Sequence, residues 1–251
     1  MVTQTPSLSE LLGQDPSNLL SGVFTDDSQS IDDHAYAIAL LYYLNNFYKK
    51  YKTKSYNYIE QHYQADLNQL QNQLTSKNSS ELNKLYDKYA KSEMDNYNIP
   101  KSKQGQVNLQ YRIDETITLV NNSITSAITE MKNDIQVKIQ VWKNDLAKKA
   151  TDFSITANIE RLGRRIRTNI GYSTTMADQK AVRSVKSFVY GQKMLYYWVC
   201  YGPNPCSWCI ANSKLPPRTI EKWEYDHPHG HCGLEAANQT EYTMEYMELI
   251  A

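Results

Sequence analysis

The sequence predicts a mainly α protein, with a long helical N-terminal bundle or hairpin followed by a small α+β C-terminal module that carries a Cys/His knuckle. Three observations carry this. Only 9 Gly and 8 Pro stand in 251 residues, which favours long elements with few turns. Ile113, Ile117, Val120, Ile124, Ile128, Met131, Ile135, Ile139, Trp142, Leu146 and Ala150 recur at intervals of three and four, about 3.67 residues per turn, which keeps one apolar stripe on a nearly straight helix. Near the end, Cys206-Ser207-Trp208-Cys209 is answered by His227-Pro228-His229-Gly230-His231-Cys232, the spacing by which one tetrahedral zinc closes a knuckle.

Residues 1–30 mix Ser, Thr, Gln, Asp and Pro around Leu8, Leu11, Leu12, Leu19 and Leu20, and read as a weakly ordered arm. The long-helix region is expected over 31–155. Ser30, Asp32 and Asp33 supply N-cap chemistry, and Ile38, Leu41, Leu44, Tyr48 and Tyr51 follow at helical spacing. The pattern continues or restarts through Tyr58, His62, Leu67, Leu70 and Leu74. It is expected to break at Lys77-Asn78-Ser79-Ser80 and to resume with Leu82, Leu85, Tyr89 and Tyr97 until Pro100. His62 lies on this Tyr-rich face and is assigned no function. The Ile113–Ala150 stripe is rich in β-branched residues, so its helix must depend on packing, against the upstream hairpin or against another subunit.

The last module is expected over 156–251, with its knuckle at 201–233. From Asn158 to Lys193 eight basic residues stand against two acidic ones. Gly163, Gly171 and Ser173-Thr174-Thr175 suggest a helix, a turn and a second helix. Arg161, Arg164, Arg165 and Arg167 are the candidates for contact with a phosphate backbone, a solvated charged face being the plainer alternative. Leu195-Tyr196-Tyr197-Trp198-Val199 is β-prone and leads into the cysteine turn. Cys200, inside it, reads as a small buried hydrophobe.

Bulk properties narrow the function. Lys plus Arg and Asp plus Glu number 27 each, so there is no global electrostatic case for nucleic acid or membrane. No run approaches the roughly eighteen apolar residues of a membrane span, and no basic segment leads an apolar run at the N-terminus, so a soluble protein made in the cytoplasm is expected. There are 20 Tyr against 4 Phe, which suits half-buried helix faces and protein interfaces. Cysteines grouped near histidines point to metal rather than disulfides.

The order strand, Gly202-Pro203-Asn204-Pro205-Cys206-Ser207-Trp208-Cys209, short loop and His229-x-x-Cys232 resembles the C-terminal signature of the phage Mu F-like minor head proteins, particularly the minor capsid proteins of phages of Gram-positive hosts. The match covers roughly the last sixty residues. The family's last cysteine, two after Cys232, is Leu234 here. Cys206, Cys209, His229 and Cys232 still make a tetrahedral set for a structural zinc, and His227 or His231 can compete with His229. The alternative is that the thiols stay reduced and Trp208 and Trp223 fix the turn by packing. The resemblance implies a minor capsid, head-morphogenesis protein in a few copies inside the procapsid, near the portal and linked to DNA ejection. Its implied partners are portal, capsid or scaffold proteins, packaged DNA and further copies of itself, without a membrane.

Two other readings belong to different classes. Asp226-His227 beside a knuckle prompts an HNH-like nuclease, but three histidines crowd into five residues and the second C-x-x-C is missing. A zinc-stapled adaptor that binds DNA is the other. Three thiolates make a poor Lewis acid, and neither H-E-x-x-H nor G-x-S-x-G occurs, so no enzyme activity is expected.

Overall fold

The computed structural model describes residues 31–144, 153–201, 204–226, 232–237 and 242–251. The N-terminal arm, Leu146 and Ala150, Gly202 and Pro203, and all of His227 to His231 lie outside them. The described chain is mainly helical, with a small three-stranded antiparallel sheet near its C-terminus. Helices α1 (Ile31–Tyr51), α2 (Tyr56–Asn96), α3 (Asp114–Asn144) and α4 (Thr156–Tyr190) precede strand β1 (Leu195–Cys200). Then come α5 (Ser207–Ser213), β2 (Arg218–Thr219), a 3₁₀ turn (Ile220–Lys222), β3 (Cys232–Ala236) and α6 (Met244–Ile250). Two compact units alternate along the chain: 1–81 with 117–171, and 82–116 with 172–251.

Two expected breaks are absent. Helix α2 runs straight through Lys77–Ser80 because Asn78 occupies a buried place in a stripe made by Leu67, Leu70, Leu74, Leu82 and Leu85. Both ends of its amide are bonded: the Tyr36 hydroxyl donates to Asn78 Oδ1 at 2.6 Å, and Asn78 Nδ2 donates to Asn121 Oδ1 at 2.9 Å. Ser79 donates back to the Thr75 carbonyl, so its hydroxyl stays inside the helix. Helix α4 likewise passes through Gly163, Gly171 and Ser173–Thr175 without a turn. Ser173 and Thr174 are buried rather than capping, in line with Ile159, Leu162, Ile166, Ile170, Ala177, Ala181, Val185 and Val189. Each helical glycine costs about 1 kcal/mol, whereas each large side chain of that stripe gains about 1.5–3 kcal/mol on burial, so packing wins.

The real stripes are also shifted from the expected ones in places. Ile59 and Tyr63 are buried where Tyr58 and His62 were expected, and Ile38 is 42% exposed while Tyr36, Leu40 and Phe47 face inward. His62 stacks on Tyr58 at 4.2 Å on the exposed side. The regular stripe is buried at Ile113, just before α3, and along it at Val120, Ile124, Ile128, Met131, Ile135 and Ile139, while in the first turn Thr116 takes the buried place and Ile117 is half-buried. Tyrosine goes deeper than half-buried faces: Tyr36, Tyr51 and Tyr86 are all under 5% exposed, with their hydroxyls bonded.

Helix ends follow local chemistry. Asn98 takes φ 58° just past α2, with Asn98 N–H on Asp95 O and Ile99 N–H on Met94 O, which satisfies the last carbonyls before Pro100. Gly191 does the same after α4 at φ 77°. In the C-terminal module the strand order is β2-β1-β3. Tyr196, Trp198, Cys209, Ile220, Trp223 and Leu234 make the core there, and Trp223 Nε1 donates to Tyr196 O at 2.9 Å.

Candidate metal centre

Three elements of the second unit deliver the site. Cys206 is the N-cap of α5, where its Sγ accepts the Cys209 N–H at 3.4 Å, and this sets Cys209 one turn in, facing the core at 1% exposure. Cys232 opens β3 opposite the last residue of β1. Asp226 ends the segment after the 3₁₀ turn and is 5% exposed. The ligand atoms of Cys209, Asp226 and Cys232 lie within 4.8 Å of one another, a group that could hold a metal ion. Cys209 Sγ donates to Asp226 Oδ1 at 3.6 Å. A tetrahedral ion with Zn–S and Zn–O bonds of usual length has an S···O edge of about 3.6 Å, the separation that Cys209 and Asp226 show.

The carboxylate is held from several sides. Asp226 Oδ2 accepts the Cys232 N–H at 3.0 Å, and the Asp226 N–H donates to Gln179 Oε1 at 2.7 Å. The segment before it is gripped by Arg183, which donates to the carbonyls of Trp223 at 2.8 Å, of Ile220 at 3.4 Å and of Glu224. Lys186 donates to the Leu234 carbonyl at 2.6 Å, and Lys180 to that of Arg112 at 3.0 Å. The basic residues in the second half of α4 are thus turned inward onto backbone carbonyls rather than outward to solvent. A cleft of about 390 Å³ opens beside the group, with Lys186, Trp198, Asp226, Cys232 and Gly233 in its wall.

Burial, with added hydrogen bonding from Cys232 and Cys206, holds the Cys209 thiol far above its ordinary range. Burial also pushes Cys232 up to about 11, with Cys200 and the Asp226 charge adding to it against a lowering bond from Cys209. Without an ion both are protonated at neutral pH. Metal binding must displace those protons and therefore weakens as pH falls.

Of the ligands expected from sequence, Cys209 and Cys232 come together. Cys206 is exposed and stands outside the group of three, and His227, His229 and His231 lie outside the described residues. Asp226 is the ligand candidate that sequence reasoning missed. Its signal was an acid six residues before Cys232, but nothing in the pattern distinguishes it from Glu221 and Glu224 or shows that it is buried. Cys200, read as a small buried hydrophobe, packs against the core cluster but is only half-buried, and it sits across from Cys232 in the sheet.

The arginines proposed for phosphate contact lie on the first half of α4, in the other unit. Arg161 pairs with Asp134 and Arg165 with Glu130, both of α3. Arg164 is exposed, and Arg167 is partly buried, its pKa lowered by burial and then by Arg164. Among the described residues no helix is long and apolar enough to cross a membrane. No family model matches the chain, and comparison with curated proteins and with solved structures likewise finds no match.

Proposed function

We propose that this chain is a minor capsid, head-morphogenesis protein of a bacteriophage, a structural component without enzyme activity. The reading rests on the G-P-N-P-C-x-x-C and H-x-x-C motifs. The observation that favours it over chemistry is that Cys209, near one end of the motif, and Cys232, at the other, meet at a buried carboxylate, as a fold-closing staple requires. Its setting is the capsid interior near the portal, after synthesis in the host bacterium. Portal, scaffold or capsid proteins are its partners, with packaged DNA as a further one met by Arg161, Arg164, Arg165 and Arg167, of which Arg161 and Arg165 also pair with Asp134 and Glu130.

The ion is zinc in a structural role, held by Cys209, Asp226 and Cys232. Cys206, His227, His229 or His231 supplies the fourth ligand. Thiolate and carboxylate donors suit zinc, and a closed four-ligand shell contributes its binding free energy to folding.

The functional test is protein mass spectrometry of procapsids and mature particles purified from cells infected with the encoding phage. A few copies per particle are expected; a chain recovered only in the particle-free host fraction would sink the proposal. Incubation of purified protein with supercoiled plasmid and Mg²⁺, Mn²⁺ or Zn²⁺ should leave the plasmid intact. Cleavage that disappears in His227→Ala would favour the nuclease instead.

A further inference from the structure

Cys200 is absent from the motif and from the metal group, yet its position in the sheet is specific. The Ala237 N–H donates to the Leu195 carbonyl at 2.8 Å, and the register of β1 on β3 places these two residues opposite each other. They form a hydrogen-bonded pair, so along the ladder every second pair is non-hydrogen-bonded, and Cys200 opposite Cys232 is one of those. In such a pair the Cα atoms stand about 4.5 Å apart with side chains on one face, inside the range of about 4.4–6.8 Å that a disulfide spans. Both side chains pack against the same core cluster.

Exposure separates the thiols. Cys209 is closed off at 1% exposed and engaged with Asp226, while Cys200 and Cys232 are half-buried. Cys232 also lines the cleft, which gives a small oxidant a path to it.

We propose that Cys200 and Cys232 are an oxidative modification site, which a peroxide converts to a disulfide, and that this bond and the metal compete for Cys232. In the metal-free protein one thiol breaks the O–O bond of hydrogen peroxide, becoming a sulfenic acid and releasing one water. The second thiol's sulfur attacks it, the S–S bond forms, and the hydroxyl leaves with the remaining thiol proton as a second water. Two thiols lose two electrons and one peroxide gains them. The disulfide takes away one of the metal's sulfur donors, so oxidation releases the ion.

The competition rests on the metal reading above, whereas the cross-link does not. Reduced, metal-free protein is treated with equimolar hydrogen peroxide under native conditions, blocked with an alkylating agent, digested and mapped by mass spectrometry. The peptides of Cys200 and Cys232 should appear joined, two hydrogens lighter than their sum. Cys232 joined to Cys209 or Cys206, or Cys200 fully alkylated, would overturn the site. In a second arm zinc-loaded protein is oxidised in the presence of a chromogenic chelator. Release should be at least about tenfold slower in Cys200→Ser and in Cys200→Ala than in the parent, while the zinc affinity of the reduced proteins stays the same, because Cys200 is not a ligand. Equal release rates in parent and variants overturn the competition. Failure of zinc to bind overturns the metal reading, and the peptide map still decides the cross-link.

Discussion

Arg183→Met tests how the Asp226 side of the site is built. Arg183 is 5% exposed as a residue; methionine keeps most of its buried stem but removes the guanidinium, which donates to the carbonyls of Ile220, Trp223 and Glu224 and sits 4.0 Å from the Tyr225 ring centroid. The Ile220 contact, at 3.4 Å, is weak. Each of the other two is a hydrogen bond to a charged donor, about 1.5–3 kcal/mol, and its carbonyl is stranded by the change. The desolvation cost of burying the cation is recovered at the same time, which brings the net loss to about 3 kcal/mol. For a domain of this size that corresponds to a fall in Tm of about 6–12 °C. The assay is thermal and urea unfolding of metal-free protein followed by Trp fluorescence, to which Trp198, Trp208 and Trp223 of this module contribute. Arg183→Lys should recover only part of the loss, because an ammonium cannot span two carbonyls with a planar fork. A fall below about 2 °C in Arg183→Met, or full recovery by lysine, would refute the assignment of Arg183 as the clamp on this segment.

Other expectations follow from the same contacts. Asp226→Asn keeps the shape but loses the anionic donor, so zinc affinity measured by chelator competition should drop by about 10-fold or more; unchanged affinity would remove Asp226 from the ligand set. Asn78→Leu strands the hydroxyl of Tyr36, itself 2% exposed, and should cost about 1–3 kcal/mol in urea unfolding, with Tyr36→Phe in the same background restoring part of it. Burial raises the Asp66 carboxyl, but hydrogen bonds from Lys50 and Tyr51 outweigh this and leave its pKa below the usual carboxylate range. The native carboxyl binds fewer protons than the unfolded one, so its stabilisation is present above the unfolded pKa of about 3.9 and is lost as pH falls through the lower folded value. Asp66→Asn should therefore flatten the acid limb of the stability curve, and an unchanged limb would exclude this network as its cause.

Much of the architecture was written in local pattern. The stripe from Ile113 to Ile139 could be read because apolar residues at three and four have one simple use, a helix with one buried face. The end of α2 before Pro100, the strand at Leu195–Cys200 and the turn at Cys206–Cys209 were legible for the same reason: each depends on residues within a few positions of one another. Local pattern thus dictates a helical chain with a small cysteine-bearing sheet module near its C-terminal end. What the polar exceptions do depends on contacts between distant residues. Asn78 and Ser173 look like helix breakers until partners or burial in a stripe account for them. Lys180, Arg183 and Lys186 look like a basic surface until their carbonyls are found. Cys200 belongs to no motif and Asp226 only to the Asp226-His227 pair, because a ligand or a cross-strand partner is defined by what stands opposite it, and only the folded chain brings residues 17 and 32 positions apart to one place.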